Sequence, residues 1–364
     1  MKVVPAYPRG KLREDVGDTA APLNQKLLAG EYVLVFLRLI IAKPFLSLKV
    51  FCFLFSSPRK LLKNMAVFLR AFYVADHILK NPARHIHAHW GGVSSTFAMI
   101  VSTLTHTQWS FTCHRWDIYD NNMLSKKSMH ASFVRFISER GMNDAIRLGV
   151  NSDKALVIHM GVKLYPGAPS ERSLIRPAKI FCVANLVPVK GHFYLISAAK
   201  KLIELGLEFE LNICGDGRLR DALIDQVRES NIDDYVVFRG NLPHSDIMNI
   251  YQKGECALLV LPSIEMTSEL HEGVPVSLME AMAFGIPVIS TNTGSINELL
   301  PVSLGLTVKD KDSSALANAI FELLNNDDLY LSKSIDVGKI IVSDWTISNS
   351  IDEMTRNIFN GKLN

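Results

Sequence analysis

The stretch Glu272-Gly-Val-Pro-Val-Ser-Leu-Met-Glu280-Ala-Met-Ala-Phe-Gly-Ile-Pro-Val-Ile-Ser-Thr291 decides how this chain folds. Its two glutamates stand eight positions apart, about two turns if the residues between them are helical. Proline suits a helix's first turn, where its missing N–H costs nothing, so a helix beginning near Pro275 is expected. Gly285 would close that helix, and Ile286-Pro-Val-Ile-Ser290 reads as a short buried strand. Upstream, Cys256-Ala-Leu-Leu-Val-Leu-Pro262 reads as another. The unit is therefore strand, loop carrying Glu272, helix carrying Glu280, strand. In open α/β sheets, ligands sit in such loops, beyond the carboxyl ends of strands. The helix's first amides suit an anion, and a glutamate on either side accepts from hydroxyls. A phosphorylated, polyhydroxylated ligand meets both requirements, and a nucleotide sugar is such a ligand.

These residues resemble the signature of retaining GT-B glycosyltransferases of family 4: Glu, seven residues, Glu, then Ala-Met-Ala-x-Gly-x-Pro-Val. The resemblance runs on through Thr293-Gly-Ser-Ile-Asn-Glu298-Leu and covers most of the chain from about Ile86. It implies an α/β fold of the GT-B kind, two Rossmann-like domains facing a central cleft. The donor would sit in the second domain and the acceptor between the two. The implied reaction moves a hexose from a nucleoside diphosphate to an acceptor hydroxyl, with retention at the anomeric carbon. The stretches His87-Ala-His89-Trp and Phe111-Thr-Cys-His114-Arg-Trp-Asp117 are most similar to bacterial exopolysaccharide, colanic-acid and capsule transferases. That similarity implies a saccharide acceptor, lipid-linked, at the inner face of the cytoplasmic membrane.

At 364 residues the chain is long enough for two domains and a large core. A net charge of +3 does not point to nucleic acid. The five cysteines are scattered and never spaced as a metal clip, which favours a reduced cytoplasm. Residues 1–23 carry charges and prolines where a signal peptide needs an apolar core. From Tyr32 to Ala75 there is no Asp or Glu, yet seven Lys or Arg stand among many Leu, Ile, Val and Phe. A spanning helix needs about 20 mostly apolar residues. Arg38, Lys43-Pro44 and Lys49 interrupt too often for one, so two readings are expected. Either basic, apolar helices lie on an anionic membrane surface, or a buried helix pair keeps its lysines snorkelling to water.

Residues 1–31 show no opening apolar strand with a glycine loop, which the resembled family has, so the first domain is expected to be incomplete. Residues 32–81 read as helices, 84–92 as a strand entering a glycine turn, 93–104 as a helix and 108–114 as a strand ending at a histidine. Residues 125–136 read as helical, and the run from Ala155 as the first domain's last strand. A linker rich in Pro, Gly and Ser spans 163–177. Strands at 179–184, 208–214, 235–239, 256–261 and 286–290 then alternate with helices at 192–205, 219–229 and 244–252. The expected organisation is 1–168 on the acceptor side, 169–345 for the donor, and a helix over 346–364 that crosses back.

Within that frame, Lys190 precedes a helix N-terminus and can neutralise a diphosphate. The resembled family has an Arg–Lys pair here, but Asn185 stands in the arginine's place. Arg218 is the candidate replacement, and by the resemblance the Gly215-Asp-Gly217 turn before it borders the donor cleft, with Gly215 at the donor. Arg220 occupies the third position of the dinucleotide fingerprint, where glycine is needed, so a nicotinamide site is rejected. By the resemblance, Asn241 and Leu242 lie at the nucleobase, Glu280 at the ribose, and Gly273, Val274, Pro275, Val276 and Ser277 at the diphosphate. Glu272 and His114 are the catalytic candidates against the donor sugar, and His89 lines the acceptor side. His85, His87 and His89 share one strand face, but no fourth ligand completes a zinc site. Asp310-Lys-Asp312 precedes a helix start, so capping explains it better than a metal. No cofactor is expected beyond the nucleotide sugar, and no nucleic acid partner. Two alternatives stay open: an impaired GT-B remnant that binds a nucleotide or a partner, and a non-transferase such as a sugar-nucleotide epimerase.

Overall fold

The computed structural model describes residues 30–165, 171–267 and 270–359. Residues 1–29 of the patternless stretch 1–31, part of the expected linker and the last five residues lie outside them. The chain divides into two compact units between Ile158 and His159.

Among the described residues the first unit begins with four helices, α1 (Gly30–Ala42), α2 (Pro44–Phe55), α3 (Pro58–Met65) and α4 (Phe68–Lys80). Pro44 and Pro58 each take a first-turn position, so the prolines start helices rather than break them. β1 (His85–Ala88), α5 (Val93–Thr105), β2 (Gln108–Cys113), α6 (Arg115–Asp120), α7 (Leu124–His130), β3 (Val134–Phe136), α8 (Glu139–Arg147) and β4 (Ala155–Val157) follow. The four strands form one parallel sheet in sequence order, β1-β2-β3-β4. Helices α4 and α5 pack together, and Phe72, Ile100, Phe111 and Phe136 are fully buried in the core.

One expectation fails here. Residues 125–136 are not a single helix: α7 stops where Ala131 turns extended (φ −75°, ψ 153°), and Val134-Arg-Phe136 becomes β3. The pull is tertiary. Ser132 N donates to Trp109 O, and Val134, Arg135 and Phe136 pair with Phe111, Thr112 and Cys113, filling the space beside β2.

The second unit alternates strand and helix: β5 (Ala178–Val183), α9 (His192–Glu204), β6 (Phe209–Cys214), α10 (Arg220–Glu229), β7 (Val236–Gly240), α11 (His244–Gln252) and β8 (Leu258–Leu261). Then come α12 (Val276–Met282), β9 (Val288–Thr291), α13 (Ile296–Leu299), β10 (Thr307–Val308), α14 (Ser313–Leu324), α15 (Asp327–Asp344) and α16 (Ile347–Phe359). The parallel sheet has the order β10-β9-β8-β5-β6-β7. Because side chains alternate along a strand, Ile180 and Cys182 enter one core with α9 and α14. Phe181, between them, enters the other with α11 and α12. Burial on both faces explains why these strands read as continuous apolar runs. Chain order reverses between β5 and β8, and there the loops after two neighbouring strands part, leaving a crevice.

Candidate active site

The loop after β5 runs through Asn185 into a short turn at Pro188–Lys190. Gly191 then takes φ of +68°, and a Cβ on it would lie 1.8 Å from Pro262 O. Only glycine lets this loop lie directly against the loop after β8. Ile264 N donates to Val189 O at 2.8 Å and fastens the two. The contact places Lys190 beside Glu272: Nζ donates to Oε2 at 2.6 Å, and Ser263 Oγ donates to the same oxygen at 2.8 Å. The lysine and glutamate side chains are 21% and 12% exposed, so the pair is mostly withdrawn from water.

A cavity of about 380 Å³ opens at this point. Asn185, Lys190, Gly215, Asn241, Leu242, Glu272, Val274, Pro275, Val276 and Ser277 line it, all expected from the sequence, together with Val183, Ala184, Cys214 and Ile247, which were not. Pro275 is the residue before α12, in an extended conformation, and its carbonyl accepts from Leu278 N and Met279 N. The amides of Val276 and Ser277 therefore precede the first intrahelical bond, on residues that line the cavity.

Three expected donor residues fall outside this lining. Gly273 lies within the loop that carries Glu272. Glu280, on α12, holds His244 Nε2 of α11 at 2.8 Å through Oε1. Arg218 is the third residue outside the lining. It is exposed at the start of α10, because Leu186 fastens the turn on either side of it. Leu186 N donates to Asp216 O, and Leu219 N donates to Leu186 O. Among the described residues Lys190 is thus the one cation lining the cavity, and Glu272 already balances its charge.

Sequence reasoning missed several supports. His271 is buried, with Nδ1 2.8 Å from Glu272 O, and so fixes the loop beneath the carboxylate. His192, the first residue of α9, is fully buried directly behind Lys190, and burial pulls its pKa down to about 4, with Lys190 adding to the shift. Neither has a sequence signal beyond a histidine next to a motif residue. Asp312 caps α14 by accepting from Ser314 N and Ala315 N, as expected, while Asp310 accepts from Glu265 N.

In the first unit, His89 follows β1 and His114 follows β2, neighbouring strands. Their rings lie 5.0 Å apart, and Trp90 covers His114 at 4.1 Å. Asp117 Oδ2 accepts from His114 N at 3.0 Å, which sets the start of α6. The turn carrying His89-Trp90-Gly-Gly is tied from behind by Lys127, a fully buried lysine absent from the sequence reading. Its Nζ donates to Gly92 O at 2.8 Å, Ser95 Oγ at 2.9 Å and Gly91 O at 3.2 Å, and burial pulls its pKa down to about 7. His85 and His87 do share a face: both reach Ser110 Oγ, at 2.7 and 2.8 Å, and both stack on Phe133. They serve the sheet; His89, past the strand end, does not join them.

Residues 170–334 match the family model described as Glycosyl transferases group 1. Those residues are similar to a group 1 glycosyltransferase domain. The "Putative colanic acid biosynthesis glycosyltransferase WcaL" of Escherichia coli (strain K12) is 33% identical over 187 residues, 50% of this chain and 46% of that protein. The amylovoran biosynthesis glycosyltransferase AmsK of Erwinia amylovora is 31% identical over 189 residues, 51% and 46% of the two chains. The chain spans about half the length of these curated relatives. A glycosyltransferase from Rickettsia africae ESF-5, known from its crystal structure, superposes with a TM-score of 0.65 at 20% identity. It covers 84% of this chain and 83% of that one. The two parallel-sheet α/β units are those of the GT-B fold expected from the sequence. The cavity at the β5/β8 switch point lies wholly within the residues that match the family model.

Proposed function

We propose that this protein is a retaining glycosyltransferase of exopolysaccharide synthesis that moves a hexose from a nucleoside diphosphate to a saccharide acceptor. The observation that carries this reading is the cavity itself. It joins one lysine, one glutamate and the first two amides of α12 at the switch point of a group 1 glycosyltransferase domain. The diphosphate takes Lys190 and the amides of Val276 and Ser277; Asn241 and Leu242 meet the base; Glu280 accepts from the ribose hydroxyls. Glu272, released from Lys190, accepts from a donor-sugar hydroxyl. The first unit's His114 and His89 keep the roles given by the resemblance, toward the donor sugar and the acceptor.

As the bond to the anomeric carbon breaks, negative charge grows on the leaving diphosphate. Lys190 and the two amides stabilise that charge more strongly than they do the intact donor, which is the larger catalytic demand. The leaving phosphate takes the acceptor's proton on the same face, so configuration is retained. No metal and no organic cofactor takes part. The acceptor is a lipid-linked saccharide, met at the inner face of the cytoplasmic membrane.

A thermal-shift panel of nucleoside-diphosphate sugars tests the reading, since a ligand that binds only the folded state raises its apparent stability. One or two sugars raising the midpoint, followed by transfer of that labelled sugar to a saccharide, is the expected result. One observation favours a second reading. With Asn185 in place of arginine and Lys190 already paired, the cavity suits a protein that binds nucleotide without transferring. Binding in the panel with no transfer to any saccharide acceptor would select it.

A further inference from the structure

Helices α1 and α2 bury one apolar face and leave another in water, and α3, which buries Asn64, leaves Leu62 in water beside them. Inward, Tyr32, Leu39, Val50 and Leu54 are buried. Outward, Leu34, Ile41, Phe45, Leu48, Phe55 and Leu62 are exposed, Ile41 to 81%, Phe45 to 86% and Leu62 to 88%. Leu34 and Ile41 are seven apart on α1, and Phe45, Leu48 and Phe55 fall at intervals of three and seven on α2, so each helix presents a stripe. α2 touches both α1 and α3. Scattered apolar residues on a surface need no explanation, but a run of them over three adjoining helices marks a docking face.

Charge singles out the occupant. Of the seven basic residues between Tyr32 and Ala75, Arg38 pairs with Asp76, Lys60 and Lys63 pair with Asp120, and Arg70 is buried. Lys43, Lys49 and Arg59 meet no carboxylate among the described residues. The basic rim continues onto a neighbouring element, where Lys126 Nζ donates to Ser56 O at 3.0 Å. A second copy of this face would set like charges against each other. A bilayer with anionic headgroups satisfies both parts, taking the apolar side chains to the acyl boundary and the basic ones at its phosphates. Among the described residues no helix is long and apolar enough to cross a membrane, so the three helices would lie in its plane.

We propose that the outer face of α1–α3 is an in-plane docking surface for an anionic phospholipid bilayer, with Phe45 and Leu62 inserted and Lys49 and Arg59 on headgroup phosphates. The proposal does not depend on the identity of the donor. Cosedimentation of the full chain with vesicles tests it, comparing phosphatidylcholine alone with a mixture of about one-third phosphatidylglycerol. The expected result is binding to the mixed vesicles only, weakened by salt. Replacing Phe45→Glu together with Leu62→Glu removes no buried contact, so the melting midpoint and the nucleotide-sugar shift should stay unchanged. Vesicle affinity should fall by more than about tenfold, since each inserted side chain contributes that much. Lys49→Ser with Arg59→Ser should cost about tenfold and flatten the salt response. No binding, equal binding to both vesicle types, or a concentration-dependent dimer that the glutamate pair dissolves would each overturn the proposal. A donor shift that persists in all variants keeps that failure separate from the reading of the second unit.

Discussion

Lys190 and Glu272 form a 2.6 Å ion pair although 82 residues separate them, and Ser263 donates to the same carboxylate oxygen. The pair is what a cavity built for an anion does when it also holds an acid: the cation is neutralised until a stronger anion competes for it. A diphosphate must therefore take Lys190 away from Glu272, and the freed carboxylate is then available to a sugar hydroxyl. The two residues should respond in opposite ways. Lys190→Ala should weaken nucleoside-diphosphate affinity by about 10- to 100-fold, the worth of one charged hydrogen bond. Glu272→Gln should leave that affinity unchanged or tighter while sugar transfer collapses. Titration calorimetry with the diphosphate alone, beside transfer assays, separates the two. Equal losses of diphosphate affinity in both variants would mean that the pair is merely structural.

Asn185 lines the cavity at the position where the resemblance implies an arginine, and Arg218 is not among the lining residues. Since Glu272 offsets Lys190, the cavity should attract a dianion less than a site with two cations. Asn185→Arg should then raise diphosphate affinity by about tenfold, since a charge-assisted bond contributes about 1.5 kcal/mol or more. The salt dependence of binding should steepen as well. Calorimetry at two ionic strengths checks both, and an unchanged affinity would show that the position faces the base rather than the phosphates.

His87 lies between two hydroxyls, Nδ1 2.8 Å from Ser110 Oγ and Nε2 2.9 Å from Thr112 Oγ1, and burial holds its pKa down at about 3. His85, on the same serine, is pulled to about 4 for the same reason. Both pKa values are depressed by folding, so from about pH 6.5 downward the unfolded chain binds protons that the folded chain does not. Stability therefore rises with pH through this window and is lost as pH falls from about 6.5 toward 3. Urea unfolding should show a loss on the order of 1–2 kcal/mol between pH 7 and pH 5 from the pair, discounted for partial solvent access. His87→Gln should lower stability at pH 7 yet flatten that slope. A slope unaltered by the substitution would place the acid sensitivity elsewhere.

The sequence made most of the second unit legible because its strands are buried on both faces and separated by glycine turns and amphipathic helices. Glu272 and Lys190, which line the cavity, could be named before any coordinates, since motif spacing and loop position constrain them. Spacing says nothing about what pairs with what. The Lys190–Glu272 contact depends on Gly191 meeting Pro262, and the Glu280–His244 contact on how α11 lies against α12. Short elements escaped for a different reason: β3 and β10 hold three and two residues, too few to show a period of two. Lys127 reads as a surface lysine on a polar helix, and only three acceptors converging behind Gly91-Gly92 explain its burial. On α1 and α2 the apolar richness was plain, but which side faced water required the coordinates.

Gly294 carries the last prediction because it supports Glu272 from behind. Its φ is +60°, and a Cβ there would lie 1.9 Å from Glu272 O, the carbonyl that also meets His271 Nδ1 at 2.8 Å. Gly305 makes a matched control, with φ of +69° and open space around its Cβ position. Alanine at either site carries the same left-handed backbone strain, about 1 kcal/mol. Only at Gly294 does it also displace the loop that holds the carboxylate. Gly305→Ala should therefore lower stability by about that amount and leave donor binding intact. Gly294→Ala should lower stability by about 3 kcal/mol or more, as overpacking adds to the strain. It should also weaken nucleotide-sugar binding, because the displaced loop carries Glu272 away from the donor-sugar hydroxyl proposed for it and reshapes the cavity wall. Chemical denaturation and the thermal-shift response, run on both variants, read the two effects separately. If the variants match in both measurements, the approach of Gly294 to Glu272 does not shape the cavity.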